Sequence, residues 1–187
     1  MTPERKLVVI TGAYIAQEDG SRHVPGESGV SVATGSDWSG GDPMPTQEDI
    51  ALVRASFAKV VPIKDKAAHL FYARLFEIAP QVRALFPSDL AEQKSKLMAM
   101  MAAAVAGLDD LPALVPVVKA LGARHVGYGA TPAHFEPVGQ ALLWTLHTGL
   151  ADAFTPEVEA AWTKVYGVLA ATMQAGAAEA AVVRAAE

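Results

Sequence analysis

Leu121-Gly122-Ala123-Arg124-His125-Val126-Gly127-Tyr128-Gly129 is the stretch on which the reading of this chain turns. Leu, Ala and Arg are good helix formers, and Gly127 and Gly129 are natural stops. A helix therefore ends here, with one histidine in its last turn. Such a histidine can cap free carbonyls, or it can present a ring nitrogen to a ligand. The choice depends on what the rest of the chain brings near it.

Working outward, the pattern is helical from Thr46 onward. Thr46 can cap a helix that carries Gln47, Glu48 and Asp49 in its first turn. Ile50, Val53, Phe57 and Val60 give it an apolar face, and Pro62 marks its end. A second helix is expected from about Lys64 to Ala79, before Pro80. A short turn through Val82 to Phe86 follows, then a helix from about Asp89 to Ala106. Asp110 and Pro112 open the helix that leads to His125, and Pro116 is expected to force a restart within it. Thr131-Pro132 opens a helix to about Leu150, delayed or kinked at Pro137. Thr155-Pro156-Glu157 opens the last, to about Gly176.

The first 44 residues differ sharply. Gly20, Gly26, Gly29, Gly35, Gly40 and Gly41 punctuate them, and no helical period appears. They read as a disordered extension, or as an artefact of an upstream start, since Met44 directly precedes the first cap. The expected division is an extension over 1–45, a helical domain over 46–176 and a tail over 177–187. Leu7 to Ala16 after Arg5 and Lys6 is faintly like a signal peptide, but Glu4 and bulky Tyr14 argue against cleavage there.

Of the 187 residues, 51% are hydrophobic, and the net charge is −5. With no basic run, nucleic acid is an unexpected partner. The absence of cysteine excludes disulfides, zinc–thiolate sites and iron–sulfur clusters, and is compatible with the cytoplasm, the expected location. No stretch is expected to reach transmembrane length, so no membrane partner is expected.

His125 gains meaning from its companions. Haem iron in a helical protein is often held by one neutral imidazole, with a small, sparingly polar pocket opposite. Gln93 and Leu97 are four apart and share a helix face, offering one donor and one apolar wall. Tyr72 can add a hydroxyl from another helix, and Phe86, at a corner, can pack flat on a porphyrin. His23, His69, His134 and His147 are assigned no such role.

From Thr46 to Gly176 the chain resembles the single-domain bacterial globins, the globin domain of flavohaemoglobins, and neuroglobin. The resemblance is carried by Leu85-Phe86, Gln93-Lys94-Ser95-Lys96-Leu97-Met98, Leu121 to His125, Val138 to Leu143 and Ala161 to Gly167. It implies an all-α globin fold, a three-over-three helical sandwich, holding haem b without a covalent bond. It implies His125 as the proximal iron ligand, Phe86 against the haem, Gln93, Leu97 and Tyr72 on the distal side, and Lys96 as a propionate partner. Phe135 and, less directly, Ala177 stand where flavohaemoglobins place a tyrosine and a glutamate behind the proximal histidine. That second shell is absent here.

The implied ligands are oxygen, carbon monoxide and nitric oxide. Two donors on bound oxygen, each worth roughly 1.5–3 kcal/mol, imply slow release. Slow release suits oxidation of nitric oxide to nitrate better than oxygen transport, and no reductase domain is present, so an external reductase is expected. The rival readings are a haem-based gas sensor or redox carrier, and a haem-free interaction protein with the same fold. Either a monomer or a homodimer is compatible with the sequence.

Overall fold

The computed structural model describes residues 44–185, and among these there is no strand. The expectation for 1–45 falls outside them, except at Met44 and Pro45. Helix α1 spans Gln47–Val60, and Thr46 caps it as its sequence implies. The Thr46 hydroxyl accepts from the Asp49 amide at 3.1 Å, and the Asp49 carboxylate accepts from the Thr46 amide at 2.9 Å. Two backbone donors at the helix start are thereby satisfied. A 3-10 turn over Val61–Ile63 leads into α2, Lys64–Ile78, which stops at Ala79 before Pro80. A second such turn, Pro80–Leu85, leads through the Phe86 corner to α3, Ala91–Gly107.

Helix α4 spans Leu111–Gly127. It runs unbroken through Pro116, contrary to the expected restart. The carbonyl that Pro116 cannot serve belongs to Pro112 in the first turn, where both residues are exposed and water can replace the missing donor. A 3-10 turn, Pro132–His134, precedes α5, Phe135–Leu150. Pro137 falls in the first turn of α5, where no intrahelical amide bond is due. The last helix, α6, spans Pro156–Ala185 and does not end at Gly176. The alanine-rich run that follows Gly176 propagates it.

Helix α6 is the spine. Its N-terminal half is strapped to α1: Lys164 reaches Asp49 at 3.1 Å, and the Trp162 indole donates to the Ser56 hydroxyl at 2.9 Å. Its C-terminal half packs on α4, so closely that a Cβ on Gly122 would stand 1.8 Å from the Met173 carbonyl oxygen. A Cβ on Gly176 would meet the Lys119 backbone at 2.1 Å. Both glycines sit in helices at a conformational cost that only such an approach explains. Helix α2 packs mainly on α5.

Residues Met100, Ala103 and Ala104 of α3 face Leu114, Val118 and Leu121 of α4 across one groove. The chain therefore doubles back at the turn Leu108–Asp110, where Arg54 pairs with Asp109 and donates to the carbonyls of Val105 and Ala106. Elsewhere α3 and α4 make few contacts, so they form a splayed V. Taken as one helical run, Ala91–Gly127 has the length and mean hydropathy, 1.6, of a membrane span, but the turn at Leu108–Asp110 divides it into two helices of 17 residues each.

Candidate functional site

Gln93 and His125 stand toward the open end of the V, at similar remove from its turn. Gln93 belongs to the buried stripe of α3, with Leu97, Met101 and Val105 spaced four apart along one face. His125 ends the buried stripe of α4 with Val118, Leu121 and Gly122. Gln93 is 4% exposed and His125 1%, unusual for polar side chains without a function or a partner.

The His125 ring is oriented by its own helix. Its Nδ1 lies 2.7 Å from the Leu121 carbonyl oxygen. A carbonyl only accepts, so Nδ1 carries a proton, and in the neutral ring the lone pair is on Nε2. That tautomer is the one a metal-binding imidazole needs, with a backbone acceptor holding the ring. Tyr128 meets the ring edge-on at 5.9 Å between centroids. Beyond it, Thr131 and His134 close a reciprocal cap, and the Thr131 amide donates to His134 Nδ1 at 3.2 Å. Burial lowers the His134 pKa, in keeping with a neutral acceptor ring.

On the opposite leg, the Tyr72 hydroxyl donates to the backbone carbonyl of Gln93 at 3.3 Å. Burial raises the Tyr72 pKa far above its ordinary value, so the hydroxyl stays protonated. The Gln93 side-chain nitrogen, Nε2, is buried and has no hydrogen-bond partner in the protein. An orphaned buried amide donor costs roughly 1–3 kcal/mol, so a ligand that accepts from it is strongly indicated.

Phe86 closes the corner. Its ring packs edge-on against Tyr72 at 5.5 Å and Phe76 at 5.4 Å. Arg83 fixes this corner by donating to the carbonyls of Phe86, Pro87 and Ser88, at 3.1, 3.0 and 3.2 Å, while its guanidinium lies over the Phe76 ring. Phe135 is buried at the start of α5, and the Tyr166 hydroxyl donates to its carbonyl at 2.8 Å. Tyr166 reaches there because Gly139 leaves room: a Cβ on Gly139 would stand 2.6 Å from the ring. A cleft of about 530 Å³ opens beside His125, Phe135 and Ala177.

Tyr72, Phe86 and Gln93 thus form one contiguous group, with Leu97 one turn along α3 from Gln93. Lys96 is not drawn into it: its ammonium pairs with Glu92 at 2.6 Å on the surface of α3. His69 is exposed and lies 3.4 Å from the Lys94 ammonium, and His147 is also exposed. Sequence reasoning missed Arg83, Tyr166 and the glycines that admit Tyr166 and Met173. Glycine inside a helix was the available signal for the last two.

The donor set fits haem. It offers one imidazole in the metal-binding tautomer, one orphaned amide donor on the facing helix, aromatic packing at the corner, and no thiolate. Among the described residues, no cluster of three or more His, Asp or Glu side chains offers a competing metal site.

The sequence model of the family described as Globin matches residues 69–173. Neuroglobin of Chaenocephalus aceratus is 31% identical over 147 residues, covering 70% of this chain and 91% of that protein. Neuroglobin of Dissostichus mawsoni matches to the same extent. A flavohemoprotein of Bacillus subtilis (strain 168) is 37% identical over 103 residues, which cover 54% of this chain but only 26% of that longer protein.

Proposed function

From the premise that the chain belongs to the globin family, and so binds haem b and diatomic gases, we propose that it holds oxygen tightly and consumes nitric oxide with electrons from an outside reductase. Haem supplies the iron at which the gas is bound. His125 is the residue to hold that iron through Nε2, with Leu121 fixing its ring. Phe86, Leu97 and Phe135 supply apolar walls. Gln93 Nε2 is the donor aimed at the gas, and Tyr72 holds the Gln93 backbone in place.

The observation that carries this reading is the orphaned Gln93 amide. A donor buried without a partner is already desolvated, so a polarised ligand gains its full hydrogen bond. Oxygen accepts charge more readily than carbon monoxide, so selectivity for oxygen follows. Oxygen and nitric oxide combine to nitrate with one added electron, for which a flavin reductase is the proposed source. This chain matches the flavohemoprotein over 26% of that protein's length.

The test is stopped-flow measurement of oxygen dissociation, followed by nitric oxide consumption with a supplied flavin reductase. Slow dissociation and stoichiometric nitrate are expected. Rapid dissociation with no nitrate would move the protein toward sensing or electron transfer.

A further inference from the structure

Helix α5 is entered through a cap that closes only on a neutral ring. The Thr131 side chain accepts from the His134 amide, and the Thr131 amide donates to His134 Nδ1 at 3.2 Å. In such a box the returning acceptor is usually Glu or Gln, which still accepts in mild acid. Here it is an imidazole. To accept, Nδ1 must hold the lone pair, which leaves the proton on Nε2. A second proton would go to Nδ1 and set a donor against a donor. It would also set a positive charge at the N-terminal end of α5, where the helix dipole opposes it.

The chain between α4 and α5 hangs from His125. The amides of Tyr128 and Ala130 both donate to the His125 carbonyl, at 3.0 and 3.1 Å, and Gly129 between them takes a φ of 84°. Thr131 comes next, and Pro132 has no amide hydrogen. The Thr131 amide is therefore the last backbone donor before the 3-10 turn, and His134 is its acceptor. One end of this connection is held by the His125 backbone and the other by the His134 ring.

The ionisable groups around the cap are engaged elsewhere. Glu136, in the first turn of α5, accepts from Gln140. At the end of α4, Arg124 donates to the Ala120 carbonyl, His125 to that of Leu121, and Tyr128 packs on the His125 ring. On α6, Tyr166 donates to the Phe135 carbonyl and Glu179 pairs with Lys119. Burial is what lowers the His134 pKa. The cap is thus whole above the ordinary histidine value, about 6.5, and fades as pH falls through the lowered folded value.

We infer that the Thr131–His134 cap is a pH-dependent positioning device: a neutral His134 pins the turn that hangs from His125, and its protonation frees that turn and weakens haem retention. The haem half of the inference rests on the reading of His125 as iron ligand. His134 acts through the backbone and stands outside the haem-binding group.

Two measurements on the full-length protein, at about pH 7.5 and about pH 5.5 on either side of the histidine value, test it. One is haem transfer from the ferric holoprotein to an acceptor globin. The other is protection of the Thr131 amide from hydrogen exchange, relative to its intrinsic rate. His134→Gln keeps an acceptor that does not titrate, and His134→Ala removes it. At the higher pH, wild type and His134→Gln should lose haem at the same rate, and His134→Ala several-fold faster. At the lower pH, wild type should approach His134→Ala while His134→Gln stays several-fold slower. Thr131 protection should follow the same pattern. Parallel pH profiles of haem loss in wild type and His134→Gln would overturn the coupling to His125. An unprotected Thr131 amide in wild type at the higher pH would overturn the cap itself. Unchanged haem binding in His125→Ala would instead overturn the iron-ligand reading, and Thr131 protection would still decide the cap.

Discussion

The Tyr72 hydroxyl donates to the backbone carbonyl of Gln93 at 3.3 Å, so these two buried residues are first of all bonded to each other. A phenol has one hydrogen, and here it is spent on the carbonyl. The Gln93 side-chain amide is left as the buried donor without a partner. The expectation from spacing and resemblance was two donors toward one ligand; on the proposed reading Gln93 donates and Tyr72 supports it.

Unequal effects should follow on substitution. Gln93→Leu removes the amide but keeps the carbonyl that Tyr72 holds. Oxygen dissociation should accelerate about tenfold or more, the loss of one charge-assisted bond of roughly 1.5–3 kcal/mol. Tyr72→Phe should accelerate it less, and the double variant should be non-additive, because the residues touch. Carbon monoxide dissociation should change little in either. Equal acceleration by both single variants, measured by stopped flow, would show that Tyr72 leaves Gln93 and turns to the gas.

His125→Ala should abolish the haem absorption band in protein purified from cells, and added imidazole should restore it. The proposed assignment rests on the Nδ1 bond to Leu121, which in a neutral ring puts the lone pair on Nε2. An unchanged spectrum without imidazole would remove His125 from the iron.

Gly122→Ala should destabilise by about 2–3 kcal/mol, since its Cβ meets the Met173 carbonyl rather than a movable side chain. For a chain of this size, that lowers Tm by roughly 5–10 °C. Haem loss should accelerate too, because the displaced helix carries His125. Gly127→Ala is the control: nothing lies within 4 Å of its Cβ, and its Tm should be unchanged. Thermal melts and haem transfer to an acceptor globin check both.

The Asp49–Lys164 pair sets a pH dependence. Burial pushes the Asp49 carboxyl up, but hydrogen bonds from Thr46 and the Lys164 ammonium outweigh it and leave its pKa below the ordinary value. A carboxylate with a lowered folded-state pKa stabilises above its unfolded pKa, and that contribution fades as pH falls through the folded value. Asp49→Asn should therefore be less stable than wild type at pH 7. The two should converge below about pH 4, near the unfolded carboxylate value. A stability gap that stays constant from pH 7 to pH 3 in urea titrations would refute this.

Much of the fold was legible because its punctuation is local. Thr46, Thr131-Pro132 and Thr155-Pro156 mark three helix starts that the structure reproduces within a residue or two. Pro116 misled, because its cost depends on which carbonyl loses a partner, and that carbonyl lies in an exposed first turn. Gly176 misled in the opposite way, since its reason lies across space at Lys119. The structure buries His125, Gln93 and Phe86, the residues that type and spacing had picked out for the proposed site. The bond of Tyr72 to a backbone carbonyl was not, because spacing is silent on where a hydroxyl turns. Lys96 illustrates the same limit, with Glu92 one turn away as the nearer partner.

The seam between Gly122 and Met173 bears on how this protein is born. The helix that carries His125 has its wall built from chain that leaves the ribosome much later, near the carboxyl end. Until Met173 and Gly176 emerge, the proximal leg of the V has nothing to lie against. Non-local contacts of this kind form late and slow folding. His125 can therefore be set in place only after Met173 and Gly176 have been made, and haem capture at the proposed site would follow their emergence.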